Sequence, residues 1–163
     1  QILMDVSKHT GETVNFVVPQ ETGMNYLDRV ETDWAFRVQL PRGSNVPFHC
    51  TASGKTFMAS LSKSKRKKFV EGLTLEPLTA NTITDKDALL DELAVIAKVG
   101  YAIDSEEFMV GMSAIAVPVL DDKKRFVASL ATHGPASRIP RDVLLTYKEI
   151  LKEGSEHITN VMF

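Results

Sequence analysis

Apolar letters recur along this chain in two rhythms. A period near two marks strands, and neighbours three and four apart mark helices. The opening QILMDVSKHT sets Leu3, Val6 and Ser7 at helical spacing, and Gly11 stands where such a helix would end. TVNFVVP is rich in β-branched residues, QETG supplies a turn, and MNYLDRVE reads as the hairpin partner. WAFRVQL alternates, with Trp34, Phe36, Val38 and Leu40 on one side and Ala35, Arg37 and Gln39 on the other, which predicts another strand. PRGSNVP is a loop. Residues 51–60 and 62–71 read as two short helices, followed by the extended connection LTLEPLTANTIT. Thr84 with Asp87 three positions on is a capping signature, and Leu89, Leu93, Ile96 and Ala97 give the next helix its apolar stripe up to Gly100. YAID, MSAIAVPVL and RFVASLATH are further strands, the last two joined by the polar turn Asp121-Asp122-Lys123-Lys124. From Pro140 at a first helical position to about Met162, Val143, Leu144, Tyr147, Ile150 and Leu151 line one helical face. An order rich in hairpins and lacking regular β–α alternation argues against a doubly wound sheet. The expected class is α+β, an antiparallel sheet of about six strands with helices packed on it.

Bulk properties narrow the function. With 163 residues the chain suits one domain with a core of its own. A formal net charge of −2 does not suit the coating of nucleic acid or an anionic membrane. No apolar run approaches the roughly 18 residues of a membrane span, and nothing at the start resembles a signal peptide. The single cysteine, Cys50, permits no internal disulfide and fits a reducing cytoplasm. Four scattered histidines and no cysteine pair leave a structural zinc site without ligands, and neither metal nor cofactor is expected. The chain opens without Met and in mid-helix, so it is expected to be a piece of a longer protein.

Three stretches invite chemistry. Ser53-Gly54-Lys55-Thr56 spells the end of a phosphate-binding loop, but such a loop needs a glycine five positions before Gly54, and His49 stands there. What remains is Thr51 or Ser53 capping a helix whose first free N–H groups suit a carboxylate as well as a phosphate. Lys55 is expected to point outward or to pair with an acid. Asp104, Glu106 and Glu107 form an acidic cluster, yet neighbours on an extended chain point to different sides, which disfavours joint metal ligation. The five basic residues of KSKRKK (residues 63–68) spread around most of a helix, with Phe69 and Val70 on its buried side, and read as a solvated face rather than a DNA contact.

Several spaced blocks, VPFHCTASGKTFMASLS, TITDKDALLDELAVIAKVGYAIDSEEFMVGMSAIAVPVLD and FVASLATHGPASRI, together resemble the C-terminal effector-binding domain of IclR-type bacterial transcriptional regulators. The resemblance runs from about Met24 to the end; residues 1–23 fit the family's linker helix and first strand. It implies a GAF-like fold over residues 12–163, with residues 1–11 the end of the linker helix. It also implies a winged helix-turn-helix reader of DNA that lies outside this chain, and assembly as a homodimer or homotetramer. The implied function is sensing of a small organic, possibly aromatic, acid that modulates DNA binding, with no enzymatic activity. By family position the pocket would present backbone N–H groups at Ala52, Ser53 and Gly54, with Asp104 accepting a hydrogen bond from ligand. Met112 with Ala114, and Ala131 with His133, share strand faces that would line the cavity together with Val38 and Val46. The plain alternatives are a capped helix, a structural aspartate and ordinary core. His133 beside a carboxylate would favour imidazolium; otherwise it bonds to backbone at its strand end. The chain has Thr56 where the family commonly has alanine, and Ala131 and His133 where close relatives often have small hydroxyl residues. Two other readings stay open: an enzyme acting on a small carboxylic acid, for which Ser53, His133 and Asp104 make a conceivable set without a G-x-S-x-G elbow, and a GAF-type sensor module of a signalling protein.

Overall fold

The computed structural model describes residues 1–38, 40 and 43–163. Helix α1 (Ile2–Thr10) ends at Gly11, whose φ of 71° is left-handed backbone that glycine adopts freely. Strands β1 (Thr13–Gln20) and β2 (Gly23–Val30) form a hairpin, and β3 (Asn45–Val46) follows after a long irregular segment. Helices α2 (Ala52–Ser60), α3 (Lys63–Glu71) and α4 (Lys86–Val99) come next. Strands β4 (Ala102–Ser105), β5 (Met112–Leu120) and β6 (Phe126–Pro135) and helices α5 (Arg141–Thr146) and α6 (Lys148–Met162) complete the order. The strands form one sheet in the order β3-β2-β1-β6-β5-β4, with each neighbouring pair antiparallel.

Alternation along these strands sorts side chains onto two faces, and each face has its own helix layer. Val17, Met24, Tyr26 and Met112 pack with Met58, Val70, Leu89 and Leu93 under α2, α3 and α4. Val14, Ile115, Val117 and Leu130 pack with Val6, Leu144, Leu151 and Ile158 of α1, α5 and α6. A fully buried leucine such as Leu93 or Leu130 contributes about 1.5–3 kcal/mol, so both layers are held chiefly by burial.

The β1–β2 ladder carries one irregularity. Val17 pairs with Tyr26 and Phe16 with Asp28, so Leu27 is an extra residue bulged out of the β1–β2 ladder, 58% exposed. The bulge resets the alternation, and Tyr26 and Arg29, three apart, face the same side of the sheet.

Four expectations are corrected. WAFRVQL forms no strand among the described residues: Trp34 and Phe36 are exposed, and the added strand is Asn45–Val46. The backbone there bonds to side chains instead of a ladder. Trp34 N–H donates to Thr32 Oγ1, while Arg37 and Arg138 donate to the carbonyls of Trp34 and Phe36. Gln39 of that expected strand, and Pro41 and Arg42 of the expected loop, lie outside the described residues. Helix α4 is capped by Asp85, not Thr84, because the Asp85 carboxylate accepts the Ala88 N–H at 3.0 Å. The last helix is two helices that meet at Tyr147, whose N–H bonds to Leu144 O three residues back and whose hydroxyl reaches Thr10 O. Pro140 sits at the cap of α5 rather than at its first turn.

Candidate effector site

Helix α2 begins against the middle of the sheet. Thr51, with extended backbone (φ −115°, ψ 147°), caps it by accepting the Gly54 N–H at 3.1 Å. That bond occupies the Gly54 amide, so of the three expected donors only those of Ala52 and Ser53 are left over by the cap. Gly54 serves packing instead. A Cβ there would stand 2.3 Å from Phe48 O and 2.6 Å from Phe48 Cα, so only glycine lets the helix lie this close to the preceding chain. The Ser53 carbonyl accepts a hydrogen bond from Ser129 Oγ at 2.9 Å, which ties the helix start to β6.

Below that start the sheet is lined with small residues. Ala52 forms a buried cluster with Ala114 and Ala116 of β5 and Ala131 of β6. Residues paired across strands share a face. One row runs His133–Ala114–Asp104 across β6, β5 and β4. The next runs Arg29–Asn15–Ala131–Ala116–Ala102 across β2, β1, β6, β5 and β4. Tyr26 lies on the same face, paired with Val17, as do Met112, and Val46 through its pairing with Met24. Ala52, Asp104, Ala114, Ala131 and His133 are thus brought together around the α2 start. Met112, Val46 and half-buried Val38 pack in the apolar core beside them.

The polar groups on this face are deeply buried. Asp104 Oδ1 accepts the Glu107 N–H at 2.7 Å, and burial pushes its carboxyl up to about 7 despite that bond. His133 is bonded at both nitrogens: Nε2 lies 3.1 Å from Val38 O and Nδ1 2.8 Å from Asn15 Nδ2. A carbonyl only accepts, so Nε2 carries the proton and Nδ1 accepts from Asn15. Burial pushes the imidazole down to about 4, so it is neutral at ordinary pH in the unliganded domain. Its backbone partner is Val38 O, so the expected backbone bond near the end of β6 is present. The Tyr26 ring stacks on it at 6.5 Å. Burial also pushes the Cys50 thiol up to about 12.

Lys55 does not point outward. It is 1% exposed, and its Nζ donates to Glu92 Oε2 and Ile103 O, each at 2.6 Å, and to both Glu107 oxygens at 2.9 Å. The paired carboxylates keep the ammonium charged against the cost of burial. Lys55 therefore ties α2 to α4 and to the segment after β4, and has no donor free for a phosphate. Glu106 secures the same segment by accepting the Gly111 N–H at 2.8 Å. Lys63, Lys65, Lys67 and Lys68 of α3 are exposed, while Arg66 turns back to Ala59 O and Leu61 O. Among the described residues no group of histidine, cysteine and carboxylate side chains could hold a metal ion, and no helix is long and apolar enough to cross a membrane.

Asn15, Tyr26, Arg29 and Ala116 were not marked by the sequence reading. Ala116 and Asn15 follow from strand alternation once Ala114 and Ala131 are placed. Arg29 does not, because the bulge at Leu27 reverses the side on which a regular strand would put it.

The family model for the C-terminal domain of bacterial IclR transcriptional regulators matches residues 1–160. The chain belongs to the IclR family. As an IclR C-terminal domain it is 37% identical over 157 residues to the probable transcriptional regulator SauR of Cupriavidus necator, covering 96% of this chain and 62% of that protein. It is 28% identical to the transcriptional repressor AllR of Escherichia coli, covering 94% of this chain and 56% of that one. It spans, then, about six-tenths of the length of these relatives. Among solved structures it is similar to the IclR protein of Thermotoga maritima, with a TM-score of 0.91 and 33% identity over 98% of this chain and 64% of that one. It is also similar to a double mutant of the PobR inducer-binding domain from Acinetobacter, solved with 3-hydroxybenzoic acid, with a TM-score of 0.89 and 25% identity over 98% of this chain and 94% of that one. IclR-family proteins of this kind are transcriptional regulators and not enzymes, which removes the reading of Ser53, His133 and Asp104 as a catalytic set.

Proposed function

We propose that this IclR C-terminal domain binds a small organic acid between the start of α2 and the face of the sheet carrying Ala114, Ala131, His133 and Asp104. Occupancy then alters DNA binding by a winged helix-turn-helix domain elsewhere in the full-length protein, which works as a dimer or dimer of dimers. The observation that carries this reading is the pair of amides at Ala52 and Ser53, left over by the Thr51 cap and set above the alanine cluster. A helix N-terminus favours an anion by dipole and by hydrogen bonds, and charge-assisted bonds are the stronger kind. Small side chains on the sheet below, clustered with Ala52, let the helix start lie close to the sheet. The PobR domain, similar over nearly the whole chain, is described with an aromatic hydroxy acid bound. For regulation the acid must bind one global arrangement better than another, and a coupling of about 1–3 kcal/mol is typical.

A thermal-shift screen against small carboxylic acids tests the reading, with Ala52→Pro as the control variant. A specific acid at a hundredfold excess over Kd stabilises by about 2.7 kcal/mol. Proline at the first helical position removes one of the two amides, and Thr51 already has the extended backbone that a residue before proline prefers. The variant is expected to remain folded and to lose at least tenfold in affinity. Failure of every acid to stabilise the wild type, or unchanged affinity in a folded variant, would overturn the reading.

A further inference from the structure

Arg29 is an anomaly on the same face. Its side chain is only 5% exposed, and among the described residues its one carboxylate contact is Glu31 Oε1 at 3.5 Å, the outer limit of a hydrogen bond, from a side chain 48% exposed. Nη2 is buried and, among the described residues, has no hydrogen-bond partner. Its guanidinium lies 5.9 Å from the centre of the Tyr26 ring, which stacks in turn on His133. A buried guanidinium without a full complement of acceptors is costly, and most buried polar groups avoid that state.

Its register partner carries a second orphan. Asn15, directly opposite Arg29 on β1, has Oδ1 buried and unpartnered among the described residues. The orientation of that amide is fixed by chemistry. Val38 O requires the proton on His133 Nε2, which leaves Nδ1 as acceptor and puts Nδ2 of Asn15, not Oδ1, against it. An unsatisfied donor on a fixed charge and an unsatisfied acceptor thus stand side by side on the sheet. They sit one and two strands from the alanines under α2, or about 5–10 Å away at ordinary strand spacing.

We infer that Arg29 and Asn15 form a second polar subsite, and that the domain selects acids carrying a second anionic group, with a hydroxyl beside it, over simple mono-acids. This rests on the reading that the start of α2 holds the first carboxylate. The second anionic group accepts from Arg29 Nη2, and the hydroxyl donates to Asn15 Oδ1. Arg29 is suited to the task because its planar fork matches a carboxylate, sulfonate or phosphonate.

Matched probes test it: succinate against butyrate, glutarate against pentanoate and isophthalate against benzoate, by titration calorimetry on wild type, Arg29→Met and Ala52→Pro. In the wild type at least one dianion is expected to bind tenfold or more tightly than its mono-acid partner, and malate more tightly than succinate. In Arg29→Met the dianion preference disappears and mono-acid affinity is kept. Without ligand, Arg29→Met is expected to melt at the wild-type temperature or above it, because a methionine has no orphaned donor. Equal binding within every pair, a preference that survives in Arg29→Met, or a ligand-free Arg29→Met that melts several degrees lower would each overturn the inference. The first two outcomes leave the binding of acids at α2 standing. Loss of all acid binding in the wild type would remove both.

Discussion

Burial sets Asp104 and His133 in opposite directions on one face of the sheet, Asp104 up to about 7 and His133 down to about 4. Of the two, Asp104 is the one that titrates where a cell works. A carboxylate bound nearby raises the Asp104 value further in the complex, so binding takes up a proton at pH values above the free value. Affinity for a fully ionised acid is therefore expected to rise as pH falls from 8 to 7 and to level off below about 6, where Asp104 is protonated with or without ligand. His133, neutral and bonded at both nitrogens, contributes no slope across that range. Calorimetric titration at pH 6, 7 and 8 separates the residues: Asp104→Asn should be flat, and His133→Gln should keep the wild-type slope at reduced affinity. A slope that follows His133 instead would reverse the assignment.

At the scale of elements, α2 is held by a buried charge that its own sequence does not announce. Lys55→Met is expected to cost about 3–5 kcal/mol in chemical denaturation, because Glu107 stays buried without its ammonium. ATP with magnesium should leave the wild-type melting temperature unchanged, since Lys55 has no donor to spare; saturable stabilisation by ATP would contradict that. Much of this architecture was legible in the letters. Strand alternation in MSAIAVPVL and RFVASLATH sorts Ala114, Ala131 and His133 onto one face, and the capping residue Thr51 sits where α2 starts. What was not legible depends on contacts far along the chain. WAFRVQL alternates as a strand should, but Thr32 and Arg138 claim its backbone groups. The break at Tyr147 has no glycine or proline to mark it and coincides with a bond from that side chain to Thr10. Arg29 was hidden by a single unpaired residue, Leu27, which changes the side on which every later residue of the strand emerges.

For the molecule as a whole, the charge balance predicts weak binding to DNA. The exposed lysines of α3 are offset by acids elsewhere, to a net charge of −2. In a gel-shift assay at physiological salt the chain is expected to bind operator and random DNA equally poorly; nanomolar, sequence-selective binding abolished by neutralising Lys65, Lys67 and Lys68 would refute that. The sheet between the two helix layers has a further consequence, for heredity rather than for binding. Along β5 and β6 alternate codons answer to different constraints: Ala114, Ala131 and His133 lie on the sheet face under the start of α2, whereas Ile115, Leu130 and Thr132 answer to the layer of α1, α5 and α6 or to the neighbouring strand. Mutation can therefore explore one set while the other is held, so the proposed site can change without repacking the opposite helix layer. A library randomised at 112, 114, 131 and 133 should keep far more folded members than one randomised at 113, 115, 130 and 132, although the two sets of positions are interleaved letter by letter.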